Sequence, residues 1–269
     1  MSLLEIKNLK KKYGEFEALK GVSFQVNAGE IVALLGKNGA GKTTLLNSIA
    51  GNIIPTGGDI LYKGETLLKN ESRLNEFGVL IEPTFIPYMN AHDNLDMLLK
   101  TAGENHAGDK IDDLLKAVGL EKKTRERTRA YSFGMKQRLG LAQALLHDPR
   151  FLILDEPFVG LDPIGKQIFK DIIIQKAREE KIGILFSSHD LEDVEEICDR
   201  IVLIDAGEKK FDGIMEYTKK YVVYCDSNPD NTIIAENVED LVKVLRDPSI
   251  KVSDLEIERK SLYDLFKDE

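Results

Sequence analysis

The sequence predicts an α/β fold: a mostly parallel sheet joined to an antiparallel β subdomain, a helical subdomain and a small C-terminal α/β appendage. Three observations carry that prediction. Apolar runs at Ile31–Leu35, Phe151–Leu154, 182–186 and 201–204 are continuous rather than alternating, the pattern of strands covered on both faces. Residues 36–44, GKNGAGKTT, join the first run to Leu45-Leu46-Asn47-Ser48-Ile49-Ala50, so a buried strand passes through a glycine-rich turn into a helix. Residues 91–147 then change to helical spacing, with Leu95, Leu98 and Leu99, Ile111, Leu114, Leu115 and Val118, and Leu139, Leu141, Leu145 and Leu146 recurring on single faces.

In chain order, residues 3–26 alternate apolar and polar at Leu4, Ile6 and Leu9 and again at Val22, Phe24 and Val26, two antiparallel strands with Gly14-Glu15 as the turn. Asn27-Ala28-Gly29-Glu30 leads into the central strand, and after the first helix Pro55-Thr56-Gly57-Gly58-Asp59 reads as a turn before a short strand at residues 60–62. The helical insert has core leucines, with Met89 and Met97 expected among them, and Asp148-Pro149 stops its last helix. These elements form one domain over residues 1–215. Residues 216–269 read as an appendage of undefined role: a β-like run at 221–224, a helix-like segment at 238–245, an alternating stretch at 250–258 and an amphipathic piece at 261–266.

Composition bounds the rest. The chain has 269 residues, 42% apolar and 31% charged, a globular balance, and no apolar run long enough to span a bilayer. Met1-Ser2-Leu3-Leu4-Glu5 does not read as a signal peptide, so a cytoplasmic protein is expected. With 37 basic against 46 acidic residues the net charge is −9, which opposes a broad footprint on nucleic acid or anionic lipid, so any membrane contact goes through a protein partner. The two cysteines, Cys198 and Cys225, are far apart and read as reduced structural residues.

Chemistry concentrates in three places. Gly36, Gly39 and Gly41 allow the N–H groups of Lys37, Asn38, Ala40 and their neighbours to converge on phosphate oxygens at a helix N-terminus, while Lys42 adds charge and Thr43, followed by Thr44, offers a hydroxyl to Mg²⁺. The strand ending in Asp155-Glu156 puts two carboxylates at the edge of a parallel sheet, Asp155 suited to Mg²⁺ and Glu156 to polarising water. The strand ending Ser187-Ser188-His189 brings a histidine to that edge, suited to a γ-phosphate contact. His92, His106 and His147 lack this context, His147 reading as a last-turn residue that suits the helix dipole.

Tyr131-Ser132-Phe133-Gly134-Met135-Lys136-Gln137-Arg138 opens the third helix of the insert. With it, residues 3–210 resemble the ATP-binding cassette of ABC transporters: phosphate loop, signature segment, aspartate-glutamate strand and histidine stand in that order. The resemblance implies an Mg²⁺-dependent ATPase whose subunits pair around two ATP molecules, as a homodimer or with a second ATPase subunit, and drive a separate integral membrane permease from the inner face of the membrane. It implies that Tyr13 stacks on adenine, a reading favoured over simple capping of the hairpin. It implies also that Ser132 and Gly134 contact the γ-phosphate bound to the opposite subunit, that Asp162 lies on the loop passing between the sites, and that Glu82, near Mg²⁺, replaces the family's usual glutamine. The signature departs from Leu-Ser-Gly-Gly-Gln at Tyr131, Phe133 and Met135. The Tyr-Ser-x-Gly-Met-Lys-Gln-Arg signature and Glu82 resemble the lantibiotic-immunity and bacitracin-type exporter branch most, which favours export. The rivals are an importer of a small solute, a soluble cassette acting on ribosomes or nucleic acid, a binding module without turnover and a GTPase. The absence of an Asn-Lys-x-Asp motif opposes the last.

Overall fold

Alternating apolar residues make the N-terminal strands a long hairpin. In the computed structural model, which describes residues 2–67, 71–104, 108–214, 219–225 and 228–259, strands β1 (Ser2–Tyr13) and β2 (Phe16–Asn27) pair antiparallel. Leu4 stands opposite Val26 and Ile6 opposite Phe24, which turns the apolar side of both strands to one core. The other edge of β1 takes β4 (Gly57–Tyr62), followed by β5 (Glu65–Thr66). Strand β4 begins inside the expected turn because pairing with β1 continues as far as Lys10 opposite Gly57.

The second sheet has the order β10-β9-β3-β8-β7-β6, from β3 (Ile31–Leu35), β6 (Phe77–Leu80), β7 (Phe151–Leu154), β8 (Gly183–Ser188), β9 (Arg200–Asp205) and β10 (Glu208–Ile214). The pairs β3–β8, β3–β9, β7–β8 and β6–β7 are parallel, and every residue of β3, β7 and β8 is buried, as continuous apolar runs require. Strand β6 escapes the sequence pattern because it is four residues long, contains Gly78 and shows no clear period. Side chains of the hairpin sheet and of β3, β7, β8 and β9 share one core, Leu4, Ile6, Val22 and Ile60 with Val32, Leu34, Ile153, Leu185 and Val202. Each contributes roughly 1.5–3 kcal/mol by leaving water.

Helix α1 (Lys42–Ile49) follows β3. The insert consists of α2 (Ala91–Thr101), α3 (Gly108–Ala117) and α4 (Phe133–Leu145), and α5 (Pro163–Glu180) and α6 (Leu191–Ile197) connect β7, β8 and β9. Asn90 caps α2 and Ser132 caps α4, each accepting a hydrogen bond from the N–H three residues on. Met89 and Met97 are only half-buried, at the margin of the insert rather than in its core. His147 lies beyond the end of α4, where its Nδ1 sits 3.1 Å from a Glu104 carboxylate oxygen, so a carboxylate rather than the helix dipole accounts for it. His106 lies outside the described residues.

The chain divides into two compact units, Met1–Asp212 and Gly213–Glu269. In the second, β11 (Lys219–Cys225), β12 (Asn228–Ala235) and β13 (Val252–Arg259) form a sheet of order β12-β11-β13, with α7 (Val238–Arg246) between β12 and β13 in sequence. Tyr221, Val223, Cys225, Ala235 and Leu241 make its core. Strand β12 was invisible in the sequence because it opens on Asn-Pro-Asp-Asn, and the amphipathic stretch 261–266 lies outside the described residues. Both cysteines are free thiols, and burial pushes Cys198 up to about 12. Among the described residues no helix is long and apolar enough to cross a membrane.

Candidate functional site

Strand β3 ends at the middle of the parallel sheet, between β8 and β9, and the loop that follows is wedged into its neighbours. A methyl group on Gly36 would stand 2.2 Å from the Ile204 carbonyl oxygen, and one on Gly41 would stand 2.7 Å from that of Ala18 at a left-handed φ of 108°, so both positions demand glycine. Helix α1 starts here with no side-chain cap and no acidic residue in its first turn, which leaves its N-terminal N–H groups and dipole for an anion. Lys42 is 6% exposed, and its Nζ donates to the carbonyls of Gly36 at 2.7 Å and Lys37 at 3.3 Å and lies 3.8 Å from a Glu156 carboxylate oxygen.

Strand order brings the two carboxylates to this loop. The Thr43 hydroxyl donates to Asp155 Oδ2 at 2.8 Å, joining residues 112 positions apart. The Ser187 hydroxyl, at the end of β8, donates to the other Asp155 oxygen and accepts the Glu156 N–H at 2.8 Å. Glu156 holds φ at 46°, a strained value for a side chain with a Cβ, and this turns its carboxylate toward the loop and His189. His189 Nδ1 is 2.8 Å from Glu156 Oε2, and as a carboxylate only accepts, the ring N–H donates. Phe16, Ala18, residues 37–39 and 41–44 and Glu156 enclose a cleft of about 290 Å³.

Gly36 through Thr44, Asp155, Glu156 and His189 are thus gathered at one sheet edge, with Ala40 buried behind the loop. The other expected residues stand apart. Tyr13 is half-exposed with Lys11 Nζ 4.9 Å from its ring centroid, and it does not line the cleft; Phe16, its partner across the hairpin turn, does. Glu82 follows β6 with φ at 50°, exposed, and makes no hydrogen bond to Thr43 or Asp155. Ser132 caps α4, accepting from the Met135 N–H at 3.2 Å, beside Tyr131, whose phenol is buried, donates to the Lys123 carbonyl and is pushed up by burial and Glu126. Asp162 caps α5, accepting from the Gly165 N–H at 2.8 Å.

Sequence reading missed Ser187, Phe16 and Ala18. The hydroxyl two residues before His189 at a buried strand end was the available signal for the first. The helices that follow Asp162 and His189 are tied together by ions: Lys166 and Lys170 of α5 reach Asp193 of α6 at 2.6 and 2.9 Å. Burial pushes Asp193 up, but hydrogen bonds from both lysines outweigh it and hold its carboxyl below the ordinary range.

The chain is similar to known proteins in sequence and in fold. Residues 19–159 match the family described as ABC transporter. The bacitracin transport ATP-binding protein BcrA of Bacillus licheniformis is 37% identical over 87% of this chain and 78% of its own. The lantibiotic transport ATP-binding protein SrtF of Streptococcus pyogenes is 38% identical over 78% of this chain and 92% of its own. A solved ATP-binding subunit of an ABC transporter superposes with a TM-score of 0.74 at 32% identity, covering 80% of this chain and 91% of that one. A phosphate loop, carboxylate pair and histidine in this arrangement, with relatives of this identity and coverage, mean that the chain belongs to the ABC transporter family as one of its ATP-binding, ATP-hydrolysing subunits.

Proposed function

We propose that this chain drives export of a peptide antibiotic through a separate membrane permease, hydrolysing ATP on the cytoplasmic face while paired with a second cassette. What carries the hydrolytic part is the hydrogen-bonded set Thr43, Asp155, Ser187, Glu156 and His189 beside Lys42. The loop N–H groups and Lys42 bind the phosphates, Glu156 orients and deprotonates the attacking water, and His189 fixes the Glu156 carboxylate and meets the γ-phosphate. Thr43 and Asp155 are the residues that would hold Mg²⁺; a hydroxyl and a carboxylate are the hard oxygen ligands it prefers. Among the described residues no group of three or more His, Cys, Asp or Glu side chains is placed to hold a metal ion, so Thr43 and Asp155 would hold it together with groups from outside the chain. Mg²⁺ supplies neutralisation of charge developing on the phosphate.

The pairing of cassettes is supported by a patch of exposed apolar side chains beside Ser132 and Asp162: Phe133, Val159 and Ile164 are 58%, 41% and 72% exposed. In the paired form Ser132 and Gly134 face the phosphates held by the other subunit, Asp162 lies between the two sites, and Phe16, which lines the cleft, meets the base in place of the expected Tyr13. Glu82, at the strand end beside Asp155, serves coupling to the permease rather than direct metal ligation. The peptide substrate follows the bacitracin and lantibiotic transport proteins among the relatives. Glu156→Gln tests the assignment: it should bind ATP, lose most turnover and accumulate as an ATP-dependent dimer on gel filtration. Wild-type turnover in that variant removes Glu156 from its role.

A further inference from the structure

The signature turn and the loop carrying Asp162 interlock within one subunit. Gly160 has φ of 73°, and a methyl group on it would stand 2.3 Å from Cδ1 and 2.9 Å from Cε1 of Phe133, so the Phe133 ring fills the space a side chain at 160 would take. From the other side, a methyl on Gly134 would stand 2.7 Å from the Gly160 carbonyl oxygen. The loop is short and internally bonded: the Val159 N–H donates to the Glu156 carbonyl at 3.3 Å, the Leu161 N–H to the Phe158 carbonyl at 3.3 Å, and Asp162 caps α5. Phe158 anchors it, 3% exposed, edge-on to Phe169 and Phe186 at 6.1 and 5.8 Å. An unbroken run of contacts therefore leads from Glu156, in this subunit's own site, through Gly160 to the ring beside Ser132.

We infer that Phe133 is a positioning residue that makes the signature turn and the Asp162 loop move as one body, so that the state of a subunit's own Glu156 sets the placement of the Ser132 it presents to its partner. This rests on the paired arrangement proposed above. The ring is more than half exposed, so it adds little to folding, and one edge of it lies against Gly160. Phe133→Ala should leave the melting temperature nearly unchanged. It should lower kcat about fivefold or more with KM for ATP within about twofold, and bring the ATP dependence of turnover toward a Hill coefficient of 1. Phe133→Leu should restore most of both. Gly160→Ala should be the more damaging variant in the wild type and less so when combined with Phe133→Ala, because removal of the ring opens space for the new methyl group. The paired arrangement is tested separately by subunit mixing, so the two ideas fail independently. Unchanged kcat and cooperativity in Phe133→Ala overturns the inference, as does strict additivity of the two substitutions.

Discussion

Ser187→Ala removes a hydroxyl that serves both carboxylates of the site, Asp155 and Glu156, at once. The side chain is wholly buried, donates to Asp155 and accepts the Glu156 N–H at 2.8 Å. Losing a hydrogen bond to a charged carboxylate costs roughly 1.5–3 kcal/mol, and orphaning a half-buried N–H about 1–3 kcal/mol. Because Asp155 keeps the Thr43 hydroxyl and both acidic residues retain some access to water, the lower part of the combined range, ~2.5–4 kcal/mol, is the expected loss of stability. For a unit of this size that lowers Tm by about 5–15 °C. Glu156 is also released from the bond that holds its strained backbone, φ 46°, and a loss of about 1.4–2.7 kcal/mol of transition-state stabilisation lowers kcat some ten- to a hundredfold. Steady-state ATPase assays and thermal melts read the two effects. Added to Glu156→Gln, Ser187→Ala should cause less further loss of turnover than it does in the wild type, since part of its effect runs through Glu156. A Ser187→Ala protein with kcat within about twofold of wild type and an unshifted melt would refute the reasoning.

Mixing Ser132→Arg subunits with Lys42→Ala subunits, each inactive alone, should recover part of the turnover, because mixed pairs contain one intact composite site; no recovery in demonstrated mixed pairs would exclude the head-to-tail arrangement. Asp193 binds its proton more weakly in the folded state than its ordinary 3.8, so its contribution to stability is complete above about pH 4 and is lost as pH falls through the depressed value. Asp193→Asn should therefore lower the urea midpoint at neutral pH, with the gap from wild type narrowing as the medium is made more acid; a gap that does not narrow with falling pH contradicts the ion-pair account. Glu82→Gln, which turns an acceptor into a side chain that also donates, should leave basal ATPase within about threefold while changing the protection of cells against a bacitracin-like or lantibiotic peptide when the permease is present. Unaltered protection in both Glu82→Gln and Glu82→Ala would end the coupling role.

The glycine-rich loop after β3 was legible because its geometry is local: nine consecutive residues bend one stretch of backbone, and spacing alone shows where the glycines, Lys42 and Thr43 fall. The buried strands and insert helices were legible for the same reason, since periods of 2.0 and 3.6 are properties of short segments. Strands β6 and β12 were not, because a glycine and a proline break their local pattern and only pairing with β7 and β11 makes them strands. That the carboxylates and His189 share one sheet edge with the loop was expected, but the individual contacts between these distant segments were not. That Thr43 meets Asp155, that Ser187 bridges Asp155 and Glu156, and that the Phe133 ring sits on Gly160 depend on strand order and on where α4 lies relative to the loop after β7. Likewise Tyr13 and Phe16 are near-equivalent aromatics in the sequence, and only the register of the hairpin against the phosphate loop puts Phe16 at the cleft and Tyr13 outside it. Local spacing fixes the course of the backbone; the convergence of side chains is fixed by which strands become neighbours, and that is decided by burial over the whole domain.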